Sequence, residues 1–227
     1  DDVYAIDVGN FAGSSDKDIV VGLDAKSGND ELKAYTHPGT SPFTSPWSSI
    51  ASLSRNSAVD ITDVTIGDMD DDGDNDVAYV VSDQDTIGFS RNDGDDTFTS
   101  QSNHDFSGFS SGSEIVLILK AYDVDGDGDD DVVAFCSSPS QTCGDEVAYV
   151  NSDGAWGWTE ITIANINFID IQDAVVGDFD GDGDGDMALV ANGDIGSASE
   201  EVFTIDNEGS GAGDFTVIPE SNFADSN

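Results

Sequence analysis

The sequence predicts an all-β fold that is built from repeated units of strands. Three copies of the pattern DxDxDGxxD begin at Asp68, Asp123 and Asp178, with a constant spacing of 55 residues. A short apolar run of strand length follows each copy. A fixed spacing of this kind marks a supersecondary unit that buries its apolar face only by packing against its neighbours.

The apolar runs after the three acidic stretches have the length and composition of buried strands. They are Val77-Ala78-Tyr79-Val80-Val81, Val132-Val133-Ala134-Phe135 and Met187-Ala188-Leu189-Val190. An EF-hand loop begins in a similar way, but it needs helices on both sides and a bidentate Glu at position 12. Position 12 here is Tyr79, Ala134 or Leu189. We therefore predict loops between strands rather than EF-hands.

Carboxylates at alternate positions of each acidic stretch favour a calcium-binding loop. Ca²⁺ takes about six to eight oxygen ligands at roughly 2.3–2.6 Å, and the glycine at position 6 permits a sharp bend. Without a cation, so many like charges close in sequence would repel one another strongly. The alternative is a solvated acidic turn without an ion. We predict three structural calcium sites, with the candidate ligands Asp68, Asp70, Asp72, Asp74, Asp76, Asp123, Asp125, Asp127, Asp129, Asp131, Asp178, Asp180, Asp182, Asp184 and Asp186.

The first repeat is degenerate, because its loop lacks most of the acidic side chains. Alignment on the fourth repeat places Asn10, Ala12, Ser14 and Asp18 at the four side-chain ligand positions. Ala12 offers no side-chain oxygen, and Lys17 brings a cation into the loop. We predict that this repeat keeps its fold and binds calcium weakly or not at all.

These residues resemble FG-GAP and VCBS repeats, which are the blades of integrin-alpha-like β-propellers. The resemblance rests on an acidic loop, a strand and an N-D-G turn before a phenylalanine, seen at Asp63–Val81, Asn92-Asp93-Gly94, Phe98, Ala174–Val190, Asp206-Asn207-Glu208-Gly209 and Phe215. It implies a single repeat domain, a β-propeller built of four four-stranded blades. The chain could be a compact four-bladed propeller, part of a longer one, or a subunit whose open edges are completed by another copy. The blades would span approximately residues 1–57, 58–112, 113–167 and 168–220, with a tail at 221–227.

Within the second repeat we predict four antiparallel strands. They are approximately Ile61–Ile66, Asp76–Val81, Thr86–Arg91 and Thr97–Ser100. We expect the first two to be buried and the last two to face outward and to be more polar. In the third repeat, Trp156 and Trp158 stand two residues apart in the outer hairpin and so share one face. We expect them to cover a neighbouring blade, and stacking on a sugar is the alternative.

The chain has two cysteines, Cys136 and Cys143, which lie where two strands of the third repeat should turn. A disulfide could close this loop, and it would indicate an oxidising, extracellular setting. Closing so short a loop would contribute about 2–3 kcal/mol in the chain-entropy model. The alternative is two reduced thiols in a flexible loop.

Charge is the strongest bulk feature, with 48 acidic against 6 basic residues and a formal net charge of −42. This balance excludes nucleic acid as a partner. Three calcium ions would neutralise only a small part of it. A salty or calcium-rich environment that screens repulsion is one explanation, and a polyanionic surface that keeps particles apart is another. We predict an extracellular or cell-surface location.

The sequence contains no apolar run that approaches the length of a membrane span, and no signal-peptide pattern opens it. We therefore expect a processed or trimmed form without a membrane span. It also contains no GxSxG, HExxH or Walker motif, so we expect no enzymatic activity. Three hypotheses remain: a calcium-stabilised module that binds a protein or glycan ligand at the cell surface, a structural subunit that joins copies of itself into an extracellular fibre or layer, and an accessory domain of a polysaccharide-acting enzyme.

Overall fold

We describe the structure from a computed structural model of the 227-residue chain. The described residues are 2–11, 16–24, 32–39, 46–50, 53, 59–82, 86–94, 97–105, 116–137, 147–152, 156, 158–164, 170–192, 200–208 and 215–220. Every regular element among them is a β-strand, which confirms the predicted all-β class. None of the described residues forms a helix that is long and apolar enough to cross a membrane.

The chain divides into two compact units, and each unit contains two antiparallel sheets. The first unit comprises Asp1–Asp105 and Asp153–Trp156. Its sheet 1 has the strand order β1 (Val3–Gly9), β2 (Asp18–Leu23), β3 (Leu32–Thr36) and β4 (Ser48–Ile50). Its sheet 2 has the order β5 (Ile61–Gly67), β6 (Asp76–Val81), β7 (Thr86–Asn92) and β8 (Phe98–Ser100), and the short β9 (His104–Asp105) also pairs with β7.

The second unit comprises Phe106–Ser152 and Gly157–Asn227. Its sheet 3 has the order β10 (Val116–Tyr122), β11 (Asp131–Ser137), β12 (Val147–Ser152) and β13 (Trp158–Ala164). Its sheet 4 has the order β14 (Asp170–Gly177), β15 (Asp186–Asn192), β16 (Glu200–Asn207) and β17 (Phe215–Glu220). Apart from β9, consecutive strands are neighbours in each sheet, which is consistent with a β-propeller-like fold.

In the first unit, one hydrophobic core joins the two sheets. Val20 and Leu32 of sheet 1 and Val64, Val77 and Tyr79 of sheet 2 are among its buried members. Two glycines of sheet 1 allow the close approach, because a Cβ at Gly9 would overlap Ile66 and a Cβ at Gly22 would lie 2.7 Å from the Ile61 carbonyl oxygen. Both isoleucines belong to β5, so that strand lies directly against sheet 1.

The second unit has an equivalent core between sheets 3 and 4. Val133 and Phe135 of β11 pack with Ala174 of β14 and with Met187 and Leu189 of β15. All five side chains are almost completely buried. The apolar runs that follow the acidic stretches therefore form the centre of the inter-sheet packing, as buried strands should.

The four strands predicted for the second repeat are all present, within one residue at their ends. One expectation about them is wrong: β7 does not face outward, because its Thr86–Ser90 and Asn92 are buried. A Cβ at Gly88 would overlap the ring of Tyr79, and the ring of Trp156 packs edge-to-face on Phe89 with centroids 6.3 Å apart. Only β8 has the predicted polar, exposed character.

The two tryptophans of the third repeat do not share one strand face. Trp156 lies in a bend with a φ of 58°, whereas Trp158 is the first residue of β13. A residue with a left-handed backbone is not part of a regular strand, so strand alternation does not apply to Trp156. The expected contact with a neighbouring sheet is confirmed for Trp156, which packs on Phe89 of sheet 2.

Candidate metal centres

The three acidic stretches form loops at the same place in three sheets, between the first and second strands. In each loop, three carboxylates bring one oxygen apiece to within 4.8 Å of the others. Two oxygens on one calcium ion are at most about 5 Å apart, since each lies roughly 2.3–2.6 Å from the ion. The three clusters are Asp68, Asp70 and Asp76; Asp123, Asp125 and Asp127; and Asp178, Asp180 and Asp186.

The backbone of each loop curls around the carboxylate at position 1. Asp68 accepts hydrogen bonds from the backbone N–H groups of Asp72 and Gly73 at 3.2 and 3.0 Å. Asp123 accepts three such bonds, and Asp178 accepts one from Gly181 at 2.6 Å. The first carboxylate is therefore held in place by the loop that it opens.

The glycine at position 6 adopts the left-handed conformation that its predicted role requires. The φ values are 91° at Gly73, 107° at Gly128 and 105° at Gly183. The residue at position 4 is also left-handed, and here the loops differ in sequence: Asp71 has a φ of 53°, whereas Gly126 and Gly181 occupy the same position in the other loops. An L-residue is less stable than glycine in this conformation.

The aspartate at position 9 is buried and fastens the loop to the sheet. Asp76, Asp131 and Asp186 are 0%, 0% and 3% exposed. Each accepts a hydrogen bond from the backbone N–H of position 2, at 2.9, 3.0 and 2.8 Å. Asp76 and Asp186 also accept a hydrogen bond from the backbone N–H of an asparagine that ends the third strand. These asparagines are Asn92, at 2.7 Å from Asp76, and Asn207, at 2.9 Å from Asp186. Each oxygen keeps a second lone pair for an ion.

Those asparagines, Asn92 and Asn207, are the residues that sequence reasoning missed. The sequence pattern places them in a turn, but both are buried and link adjacent sheets. The Asn92 side-chain amide donates to the Phe11 carbonyl at 2.9 Å, and that of Asn207 donates to the Val124 carbonyl at 2.7 Å. Phe11 and Val124 occupy position 2 in the loop of the preceding sheet. An asparagine that ends the third strand in two repeats was the available signal.

Burial and mutual repulsion raise the pKa values of several loop carboxyls. The pKa of Asp76 is raised to about 8: burial is the largest cause and the charges of Asp70 and Asp72 add to it, while the hydrogen bonds from Asn92 and Met69 act in the opposite direction. Burial also raises the pKa of Asp68, Asp70 and Asp125. Without a counter-ion, ionising these groups is costly, and a bound divalent cation removes that cost.

The cluster in the second repeat has a further partner, because the indole N–H of Trp156 donates to Oδ2 of Asp70 at 3.0 Å. Oδ1 of Asp70 is buried without a hydrogen-bond partner among the described residues. A buried carboxylate oxygen of this kind is costly unless a cation or a donor meets it. The donor set of each cluster consists only of carboxylate oxygens, which suits a hard cation such as Ca²⁺.

The clusters contain nine of the fifteen predicted ligands. The others lie in the same loops but outside the clusters: Asp72, Asp74, Asp129, Asp131, Asp182 and Asp184. Asp72 and Asp182 each accept a backbone N–H from the residue two positions later, at 3.0 and 3.1 Å. Asp131 is buried, and one of its oxygens holds the backbone of Val124. Ligand roles for all fifteen residues stay predictions.

In the first repeat, the described residues keep the position-9 contact without an acidic cluster. Asp18 accepts hydrogen bonds from the backbone N–H groups of Phe11 at 2.9 Å and His37 at 2.8 Å. Ala12 and Ser14 lie outside the described residues, so calcium binding here stays untested. Cys143 and the tail at 221–227 also lie outside them, and the bridge from the buried Cys136 to Cys143 stays a prediction.

Residues 68–134 match the family model of the FG-GAP-like repeat. The match begins at the first carboxylate of the second-repeat loop and ends within β11, so it includes the acidic loops of the second and third repeats. This finding confirms the predicted resemblance to FG-GAP repeats.

Among solved structures, the chain is similar to the crystal structure of AofleA from Arthrobotrys oligospora, with a TM-score of 0.55 and 13% sequence identity. The similarity covers 96% of this chain and 57% of that one, so this chain spans little more than half the length of AofleA. No curated protein matches the sequence. At this identity the likeness concerns the fold alone.

Proposed function

We propose that this chain, in which residues 68–134 match the FG-GAP-like repeat, is a non-enzymatic, extracellular calcium-binding β-propeller protein that binds a protein or glycan ligand in adhesion. In this proposal each of the four sheets is one blade, and calcium occupies the acidic loops of blades two to four. One observation carries the proposal: three carboxylate clusters of similar dimensions recur at the same place in three sheets.

The ion would act on the fold through charge and geometry. Each cluster collects three carboxylates at a bend, where their repulsion opposes the folded loop. A calcium ion would neutralise them and hold position 1 and position 3 together, while the buried aspartate at position 9 fastens the same loop to the second and third strands. The loops would then present a rigid surface, on which binding residues are commonly placed.

Isothermal titration with calcium tests the metal sites directly. We expect three ions per chain in the unaltered protein and two in the Asp68→Asn variant, because the asparagine keeps the shape but removes the charge of one ligand. Glu208→Gln is the matched control: Glu208 is exposed, and its only described hydrogen bond is with the Thr216 hydroxyl. The control should keep three ions. Equal stoichiometry in all three proteins would argue against a site at Asp68.

Ligand binding needs its own test, because calcium could stabilise a protein of either functional class. A glycan array and a surface-protein binding assay in calcium, repeated with chelator, would identify a ligand and show whether its binding depends on the ion. Retention of binding under chelation would separate the two parts of the proposal. Absence of any ligand, together with self-association, would favour the second candidate.

The second candidate is a structural subunit that joins copies of itself into an extracellular fibre or layer. Exposed apolar side chains on strands of both units favour it, among them Ile6 at 63%, Val8 at 54% and Val175 at 53% exposure. Such side chains on a sheet face mark an interaction surface. A role as the accessory domain of a polysaccharide-acting enzyme is a third proposal, which binding to polysaccharide would support.

A further inference from the structure

One position in the first strand of each sheet is buried in three repeats and exposed in the first. It lies four residues before the first ligand position, and it is Ile6, Val64, Leu119 and Ala174 in repeats one to four. Ile6 is 63% exposed, whereas its three equivalents are at most 4% exposed. All four repeats thus have an apolar side chain at this position. In sheet 1 that side chain, Ile6, is not covered by any of the described residues.

Ile6 belongs to a continuous apolar face. Val8 lies on the same side of β1, and Val21 and Ile19 of β2 are the cross-strand partners of Ile6 and Val8. Cross-strand partners point to the same side of a sheet. We call the face formed by Ile6, Val8, Ile19 and Val21 the leading face of sheet 1, and the equivalent residues form the leading faces of the other sheets.

The opposite face of sheet 4 is exposed in a corresponding way. Val175 of β14 is 53% exposed and Val190 of β15 is 38% exposed, with Ala188 and Val202 as their cross-strand partners. We call these four residues the trailing face of sheet 4. They line a shallow depression whose surface is mostly apolar.

The equivalents of Val190 on the trailing faces of the other sheets are all buried. They are Gly22, Val80 and Phe135, and the two larger side chains are 3% and 0% exposed. The same holds for Thr65, the equivalent of Val175 in the second repeat, which is 4% exposed. In the described residues, the trailing face is therefore open in the last sheet, just as the leading face is open in the first.

Within each unit, a trailing face packs against the leading face of the next sheet. In the first unit, Gly22 on the trailing face of sheet 1 lies against Ile61 of sheet 2. In the second unit, Val133 and Phe135 on the trailing face of sheet 3 share a core with Ala174 and Leu189 on the leading face of sheet 4. The open trailing face of sheet 4 and the open leading face of sheet 1 are thus the two kinds of face that pack together once in each unit.

We propose that the trailing face of sheet 4 binds the leading face of sheet 1 of a second copy of this chain. The contact would repeat, between molecules, the trailing-to-leading packing seen inside each unit. Because it joins unlike faces, the interface is heterologous, and repeated association gives a closed ring or a filament. The proposal specifies the interface of the structural candidate above, and it does not depend on calcium binding.

Charge favours this pairing over contact between two like faces. The chain carries a formal net charge of −42, so most surfaces of two copies repel each other. Lys33 is the cross-strand partner of Val21, and therefore lies on the leading face. Asp173 is the cross-strand partner of Val190, and therefore lies on the trailing face. Lys33 on the leading face and Asp173 on the trailing face thus carry opposite charges, which complement each other among the apolar side chains.

Charged substitutions on each face test the interface. Ile6→Asp alters the leading face and Val175→Asp alters the trailing face, and both positions are exposed, so each variant should fold. Ser100→Asp, at an exposed position of β8, is the matched control. Size and mass are measured by light scattering over a range of concentrations in calcium and high salt, which screens the repulsion. We expect oligomers from the unaltered protein and the control, and monomers from each face variant.

Mixing the two face variants distinguishes the proposed contact from other kinds of association. Each variant keeps one intact face, so the mixture should form a heterodimer that cannot grow further. Association of either variant alone as in the unaltered protein, or a mixture that stays monomeric, would overturn the proposal. An unaltered protein that is monomeric at every concentration would also overturn the proposal. That result is expected if the chain closes on itself or if another protein covers these faces.

Cross-linking tests the register of the contact. Gly22 of sheet 1 and Ile61 of sheet 2 are neighbours in the first unit. The residue equivalent to Gly22 in the fourth repeat is Val190, and the residue equivalent to Ile61 in the first repeat is Val3. These two residues should therefore be neighbours in the proposed interface. We expect a Val3→Cys chain mixed with a Val190→Cys chain to form an intermolecular disulfide under mild oxidation. A Ser100→Cys chain mixed with Val190→Cys should not. Equal cross-linking of the two pairs would overturn the register. Calcium stoichiometry of the same variants keeps this outcome separate from that of the metal proposal.

Discussion

Replacement of Asn92 by alanine should destabilise the first unit more than any surface substitution nearby. Asn92 is fully buried, and its side-chain amide donates to the Phe11 carbonyl at 2.9 Å and the Asn75 carbonyl at 3.2 Å, while its oxygen accepts from the Gly94 N–H at 3.2 Å. Alanine leaves at least one buried carbonyl without a donor. A buried group without its partner costs about 1–3 kcal/mol, and each lost bond costs about 1 kcal/mol.

The expected loss in the free energy of unfolding is therefore about 2–4 kcal/mol. Urea denaturation in saturating calcium, followed by circular dichroism, measures it. Thr99→Ala is the matched control, because it removes an exposed hydrogen bond of the same hairpin, from the Thr99 hydroxyl to Asp93 at 2.6 Å. The control should change the free energy by no more than about 0.5 kcal/mol. An Asn92→Ala variant as stable as the control would refute the role of this link between sheets.

Three further perturbations follow from the loops. Without calcium, the pKa of Asp76 is about 8 in the folded state, against an ordinary value of 3.8, so the folded state binds more protons than the unfolded state between these pH values. The melting temperature should therefore fall as pH rises from about 4 to 8. Calcium should remove this dependence. Trp156→Phe should abolish most of any calcium-induced change in tryptophan fluorescence, since Trp156 donates to Asp70. Asp71→Gly should stabilise the folded state by about 0.5–1 kcal/mol in urea denaturation, because Asp71 has a φ of 53°.

The sequence predicted those features that depend on local spacing. The acidic loops, the left-handed Gly73, Gly128 and Gly183, and the strands after each loop all follow from a pattern that is complete within about twenty residues. Alternation and turn chemistry act over such distances, so the chain itself contains the information. The resemblance to FG-GAP repeats rests on the same local pattern.

The features that could not be predicted depend on partners that are distant in sequence. Asn92 bonds to Phe11 and Trp156 bonds to Asp70, across separations of 81 and 86 residues. The burial of β7 has the same origin, because Trp156 and a second pairing strand cover residues that look suitable for an outer position. The sequence pattern within one repeat contains no information about such contacts. In β7, tertiary packing overrides the preference for an exposed outer strand that the local sequence suggests.

Comparison of the degenerate repeat with the others separates two roles within one loop. Asp18 retains both backbone contacts of position 9, at 2.9 and 2.8 Å, although Ala12 and Ser14 replace the acids of positions 3 and 5. The first sheet nevertheless forms, with its four strands in the same order as the others. The buried aspartate therefore joins loop, second strand and third strand whether or not the loop is acidic. The hydrogen bonds described for the position-1 carboxylates Asp68, Asp123 and Asp178 come instead from the backbone of their own loops. This difference fits the separate, cation-binding role that we propose for them.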